Sequence, residues 1–205
     1  VEVTYNIKLG KRYPIKNIDF VLPERGPFAQ AFLNDTTNMM VKPGDYLSES
    51  SLDAETVRSS AVLRNEGFYS FNKNYYFFEA DTLTCPDSAL LHLTVHEYTR
   101  NETAKEAESI RKFYFNDVSI TYPKTLKIKD KVLKELNTII PGAPYSSDIV
   151  NQTYSRLASL RVFNSVNIGM SKADTNLVDC SISLSQSKLQ GFKVNLEASS
   201  NSSGL

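Results

Sequence analysis

A six-residue pattern occurs twice in this chain at a spacing of 100 positions, and it constrains the fold more than any other feature of the sequence. Ile15, Lys16, Asn17, Ile18, Asp19 and Phe20 are matched in character by Phe115, Asn116, Asp117, Val118, Ser119 and Ile120: apolar, polar, Asn or Asp, apolar, polar, apolar. Each copy reads as a strand with Ile18 and Phe20, or Val118 and Ile120, on one face. A pattern repeated at a fixed distance means a repeated structural unit. The echo continues downstream, where Pro43, Gly44 and Tyr46 are answered by Pro141, Gly142 and Tyr145. Pro-Gly is turn chemistry, and in both copies it follows a helical stretch.

Small polar residues come next: Ser50 and Ser51 in one copy, Ser146, Ser147 and Asp148 in the other. Their side-chain oxygens can accept from the unpaired N–H groups of a first helical turn, so a second helix is expected in each copy. In the later copy Val150, Tyr154 and Leu157 fall on one helical stripe. In the earlier copy Ser59 and Ser60 interrupt the stripe. Leu63 and Arg64 before Gly67 and Phe68 parallel Leu160 and Arg161 before Phe163, and Gly67 suits the left-handed position past a helix end.

The closing strands are the clearest elements. Ala89, Leu91, Leu93 and Val95 alternate with Leu90, His92, Thr94 and His96; Val178, Cys180, Ile182 and Leu184 alternate with Asp179, Ser181, Ser183 and Ser185. A period of two describes a strand with one buried and one wet face, and it turns Cys180 toward the core. A hairpin partner is expected before each, over residues 75–80 and 166–171. The fold class is therefore α+β: tandem β-α-α-β-β units, each a three-stranded mixed sheet covered by two helices. The boundaries read as 11–98 for the first unit and 113–188 for the second, with a charged, semi-rigid linker over 99–112. Residues 1–10 alternate like the closing strands and read as the last strand of a preceding, truncated unit. The chain as a whole reads as a piece of something longer.

Lys plus Arg and Asp plus Glu both number 23, so no long-range field concentrates polyanions; this argues against a nucleic-acid partner. His92 and His96 are the only imidazoles. On a strand they lie ~13 Å apart, too far to share an ion, so no metal site is assigned. Cys85 and Cys180 carry no spacing signal, and free thiols are the simpler reading. No nucleophile elbow, phosphate-binding loop, dinucleotide fingerprint or zinc-protease motif occurs, and no cofactor or catalytic residue is assigned.

The aromatic run Tyr75, Tyr76, Phe77 and Phe78 is the most suggestive local feature. On an edge strand it would accept an extended peptide by β-augmentation, in which main-chain hydrogen bonds supply affinity with little sequence demand; packing against a neighbouring unit is the competing reading. The corresponding strand of the second copy offers Asn167, Ile168, Gly169 and Met170 in the same role. At the end of the chain Phe192, Val194, Leu196 and Ala198 alternate with polar residues. That segment is either a tail or the first strand of a further sheet, and it weakly meets the ten-residue pattern of a transmembrane β-strand.

Taken in order, the β-α-α-β-β repeat, the leading I-x-x-I-x-F strand, the Pro-Gly turn with its Tyr, the Leu-Arg-x-x-Gly-Phe helix end and the alternating last strand resemble POTRA domains. Residues 3–15 resemble a junction between consecutive POTRA domains, and residues 192–204 resemble the start of the β-barrel in the BamA/TamA outer-membrane assembly family. The resemblance covers nearly the whole chain and implies a non-enzymatic periplasmic region on the inner side of the bacterial outer membrane. Residues 189–205 would then begin a barrel that inserts other outer-membrane proteins. Implied partners are nascent outer-membrane proteins and accessory assembly lipoproteins. The alternatives are the POTRA region of a two-partner-secretion exporter and a periplasmic interaction scaffold without a transport role.

Overall fold

The computed structural model describes residues 3, 10–23, 26–96, 110–125 and 128–186. The expectations for 4–9 and 189–205, and most of the linker, lie outside the described residues.

The first unit contains β1 (Ile15–Val21), α1 (Pro27–Asp35), α2 (Glu49–Asn65), β2 (Tyr76–Asp81) and β3 (Ala89–Val95). The second contains β4 (Tyr114–Thr121), α3 (Asp130–Leu136), α4 (Ser147–Ser159), β5 (Phe163–Asp174) and β6 (Leu177–Gln186). Each forms a three-stranded mixed sheet, ordered β1-β3-β2 and β4-β6-β5, with a parallel first pair and an antiparallel hairpin. Parallel pairing of the first and last strands needs a long crossover, which the two helices and the hairpin partner supply. The alternation of the closing strands is realised as expected: Ala89, Leu91, Leu93 and Val95, and Val178, Cys180, Ile182 and Leu184, are all buried. Cys180 packs in the second core, and both cysteines are free.

Hydrogen bonds align the copies atom by atom. The Ile15 N–H donates to Asp45 C=O at 2.8 Å and the Gly44 N–H to Ile15 C=O at 2.7 Å; Phe115 with Ala143, and Gly142 with Phe115, repeat them at 2.9 and 2.7 Å. This register matches Tyr46 to Pro144, which are bridged to Pro14 and Tyr114 respectively. Tyr145 therefore matches Leu47, not Tyr46, so the Pro-Gly echo holds and its Tyr is shifted by one position. The helix cap is Ser48, not Ser50 or Ser51, and its partner is Ser146. On α4 Leu157 is buried and Val150 packs against the core as the stripe implies, while Thr153 is buried in place of Tyr154, which is exposed.

α2 runs for 17 residues and α4 for 13, so the first helix is one turn longer. The helix ends consequently do not match as the Leu-Arg pairs implied. Gly67, at φ +105°, follows α2, and Arg161, at φ +54°, fills the equivalent place after α4. A residue with a Cβ in that region carries local strain that glycine avoids. After Gly67 the first unit inserts a loop whose Phe68 and Phe71 are buried in its own core, while Tyr69 reaches the second core.

The same register exposes a difference inside the helical layer. In the first unit Arg58 donates to both carboxylate oxygens of Asp35, at 3.0 and 2.7 Å, and to both of Glu55, at 3.0 and 2.7 Å. Glu55 also accepts the Met40 N–H at 2.8 Å. In the second unit the equivalent Thr138 N–H donates to Thr153 Oγ1 at 3.0 Å, and the buried residue of α3 is Leu133. One copy thus closes its helix pair with buried charge and the other with a methyl group and a hydroxyl. Removing one member of a buried ionic cluster leaves the others uncompensated, whereas replacing all three together does not. Arg58→Met is therefore expected to cost about 3 kcal/mol, and Asp35→Leu, Glu55→Thr and Arg58→Met combined distinctly less. Urea denaturation followed by hydrogen exchange in α2 measures both.

Candidate functional site

The edge strands follow from the sheet order. β2 and β5 each pair on one side only, with β3 and β6, and each leaves its other main-chain edge unpaired within its sheet. On β2, Tyr76, Phe78 and Ala80 sit opposite Val95, Leu93 and Leu91; on β5, Val166, Ile168 and Met170 sit opposite Leu184, Ile182 and Cys180. These two triplets are structural equivalents and point to the helices. Phe77 faces away from the helices and is half exposed at 50%, as expected of the alternate residue on a strand.

By its sequence pattern Tyr75 belongs to the edge strand. The structure puts it one residue before the strand, in a 3-10 turn over Lys73–Tyr75, where its side chain is buried. Asn72 opens that turn by accepting the Asn74 N–H at 3.0 Å. The local hydrogen bond captures the chain before it can extend, which the aromatic pattern alone does not reveal. Of the four aromatics, Tyr76 and Phe78 face inward, Phe77 faces solvent and Tyr75 belongs to the core.

The two edges differ in what lies beside them. Val166, Ile168 and Met170 pack against the second core, and α4 lies along β5. Between α2 and β2, by contrast, there is a cleft of about 560 Å³. Its floor is Leu47, Leu52, Phe78, Ala80 and Leu91, and its mouth carries Glu49, Asp53 and Lys73. The register explains the space: Ala80 occupies the position that Met170 fills in the other unit, so three heavy atoms of side chain are missing from the wall. Lys73 Nζ lies 3.1 Å from Asp53 Oδ1 across the mouth, an exposed pair that adds little stability. No signal in a single copy marks this cleft; the comparison of Ala80 with Met170 finds it once the strands are aligned.

Tyr76 holds the inner end of the cleft. Its hydroxyl donates to Ser59 Oγ at 2.7 Å, and burial, with the Ser59 bond opposing, pushes its pKa from 10.0 up to about 12. Ser59 occupies the helix position of Leu157, so the residue that interrupted the apolar stripe makes room for a tyrosine and bonds it. Burial also lifts the Cys180 thiol from 9.0 to about 11. His92 Nδ1 lies 3.5 Å from Asp19 Oδ2 on the outer face of the sheet, away from the cleft.

No protein-family model matches the sequence, and no curated protein matches it significantly. Solved structures do. A BamA from Haemophilus ducreyi lacking POTRA domains 1–3 superposes with a TM-score of 0.63 at 14% identity, over 85% of this chain and 30% of that one. POTRA domains 3–5 of Haemophilus influenzae BamA superpose with a TM-score of 0.54 at 14% identity, over 85% of this chain and 61% of that one. The chain has the POTRA fold in tandem. It spans less than two thirds of either of these solved chains.

Both raised acids are neutral in the folded protein at pH values where the unfolded chain would ionise them. Their stabilisation is complete below pH 9 and is lost between about pH 9 and 11 for Cys180 and about pH 10 and 12 for Tyr76. Urea midpoints recorded from pH 8 to pH 11.5 are expected to fall steadily above pH 9. Tyr76→Phe should flatten the upper part of that fall while lowering the neutral-pH stability by about 1 kcal/mol through the orphaned Ser59.

Proposed function

We propose that this chain is the periplasmic POTRA region of an Omp85-family protein of the outer-membrane β-barrel assembly type, and that it binds extended segments of client or accessory proteins by β-augmentation on β2. The observation that carries this reading is an unpaired strand edge lying directly beside an apolar cleft. An incoming strand placed on β2 gains main-chain hydrogen bonds along the edge, and every second side chain then turns toward α2. The open wall at Ala80 receives one of those side chains, while Glu49, Asp53 and Lys73 at the mouth meet polar residues flanking it.

The role is one of binding, not catalysis. Nascent outer-membrane strands alternate apolar and polar residues, and that pattern suits one wet and one buried face. Accessory lipoproteins are a second partner class, and a β-barrel continuous with residues 189–205 would hold the region at the outer membrane. β5 presents a main-chain edge as well, through Asn167, Ile168, Gly169 and Met170, but its inward side chains are already packed, so β2 is the preferred acceptor.

A peptide with the alternating sequence of residues 191–198, added to the 15N-labelled chain, is expected to shift the amide signals of β2 and of the first turns of α2. Ala80→Met copies the second unit and fills the cleft without unfolding the sheet. It should weaken that binding about tenfold or more. Unchanged affinity in this variant, or shifts confined to β5, would overturn the assignment of the cleft.

A further inference from the structure

We infer that Asn65, with Tyr69 beside it, locks the first unit to the second by completing the start of α4, so that the two units keep one mutual angle. The lock is made by the extra turn of α2 and the loop after it, the segments that distinguish the first unit from the second. It is independent of what the cleft binds.

The first turn of a helix exposes N–H groups that have no acceptor within the helix. Ser146, the residue preceding α4, reaches the Ile149 N–H with its own hydroxyl at 3.4 Å, a long contact. Asn65, 83 positions earlier in the chain than Asp148, supplies the rest. Its Oδ1 accepts from the Asp148 N–H at 2.9 Å, from Ser147 Oγ at 2.7 Å and from Ser146 Oγ at 3.2 Å. Its Nδ2 donates to Asp148 Oδ2 at 2.7 Å. A carboxamide is the side chain that offers an acceptor to the helix end and a donor to the acid beside it. At the matching start of α2, Ser48 makes no cap to a backbone N–H and bonds Ser50 Oγ instead, so such capping is not automatic in this fold.

The surrounding contacts fix direction. The Phe113 N–H donates to Gly67 C=O at 2.9 Å, tying the turn after α2 to the residue before β4. The Tyr69 ring sits edge-on to Tyr145 at 4.9 Å and to Phe113 at 5.6 Å, with Tyr145 and Phe113 both buried in the second core. Lys112 lies over the Phe68 ring at 5.5 Å. The hydrogen bonds at the helix start, the main-chain bond and the aromatic contacts engage different residues of the second unit, Asp148, Phe113 and Tyr145 among them, so the joint is held at more than one point.

Residual dipolar couplings of the full 15N-labelled chain test this directly. Couplings from residues 10–96 and 110–186 are expected to fit a single alignment tensor in the wild type. Asn65→Asp sets two carboxylates against each other and should separate the tensors, with exchange of the Asp148 amide about fivefold faster. Combining Asn65→Asp with Asp148→Asn reverses donor and acceptor across the contact and should restore the common tensor. Because each unit's couplings are also fitted alone, a folding defect is distinguished from a released joint. Separate tensors in the wild type, a single tensor retained in Asn65→Asp, or failure of the double variant to restore it would each overturn the inference.

Discussion

The structure depends on a pair of hydrogen bonds between the first strand of each unit and the turn between its two helices. Ile15 and Phe115 each give their N–H to that turn and take one back from a glycine. These bonds fix where the second helix starts relative to the sheet, and the start of the helix fixes which side chains meet the closing strand. Ile15 and Phe115 are themselves buried, so the bonds lie where water does not compete for them. Everything that separates the two units is built outward from this shared frame.

On that frame the copies have diverged in opposite senses. The second unit fills the space between helices and sheet with Thr153, Leu157 and Met170 and closes its helix against its edge strand. The first carries Glu55, Ser59 and Ala80 at the matching places, adds Asp35, satisfies the acids with Arg58, and leaves a hollow beside the strand. Burying charge is costly even when paired, so the cluster is weak evidence of added stability. Here the charged cluster clamps the end of α1 to the middle of α2, on the helix that forms one wall of the cleft.

The strands were legible in the sequence because a period of two is a strong signal where one face is buried, as at Ala89, Leu91, Leu93 and Val95. The helices were less so. Tyr154 was assigned inward and lies outward, because an apolar residue at helical spacing does not distinguish adjacent positions when Thr153 can be buried by a hydroxyl contact with Thr138. The Leu-Arg equivalence failed since α2 gained a turn, and spacing counted from the helix end carries that insertion into every match. Tyr75 was drawn out of its expected strand by the Asn72 turn. The cleft at Ala80 was invisible to any reading of one copy, because a missing side chain leaves no mark until its counterpart is aligned with it. Asn65 gave no signal either: its partners are distant in sequence and depend on the insertion itself.

α2 touches the cleft near its beginning, at Leu52, and the neighbouring unit at its end, through Asn65. The rise from Leu52 to Asn65 spans about 20 Å of helix. A rod of that length turns small angles into usable displacements: a tilt of roughly 5° about the near end moves the far end by about 2 Å, the difference between a made and a broken hydrogen bond. A wedge driven between helix and strand in one domain would thus strain the joint to the next, and a joint that holds its angle would push back on the wedge.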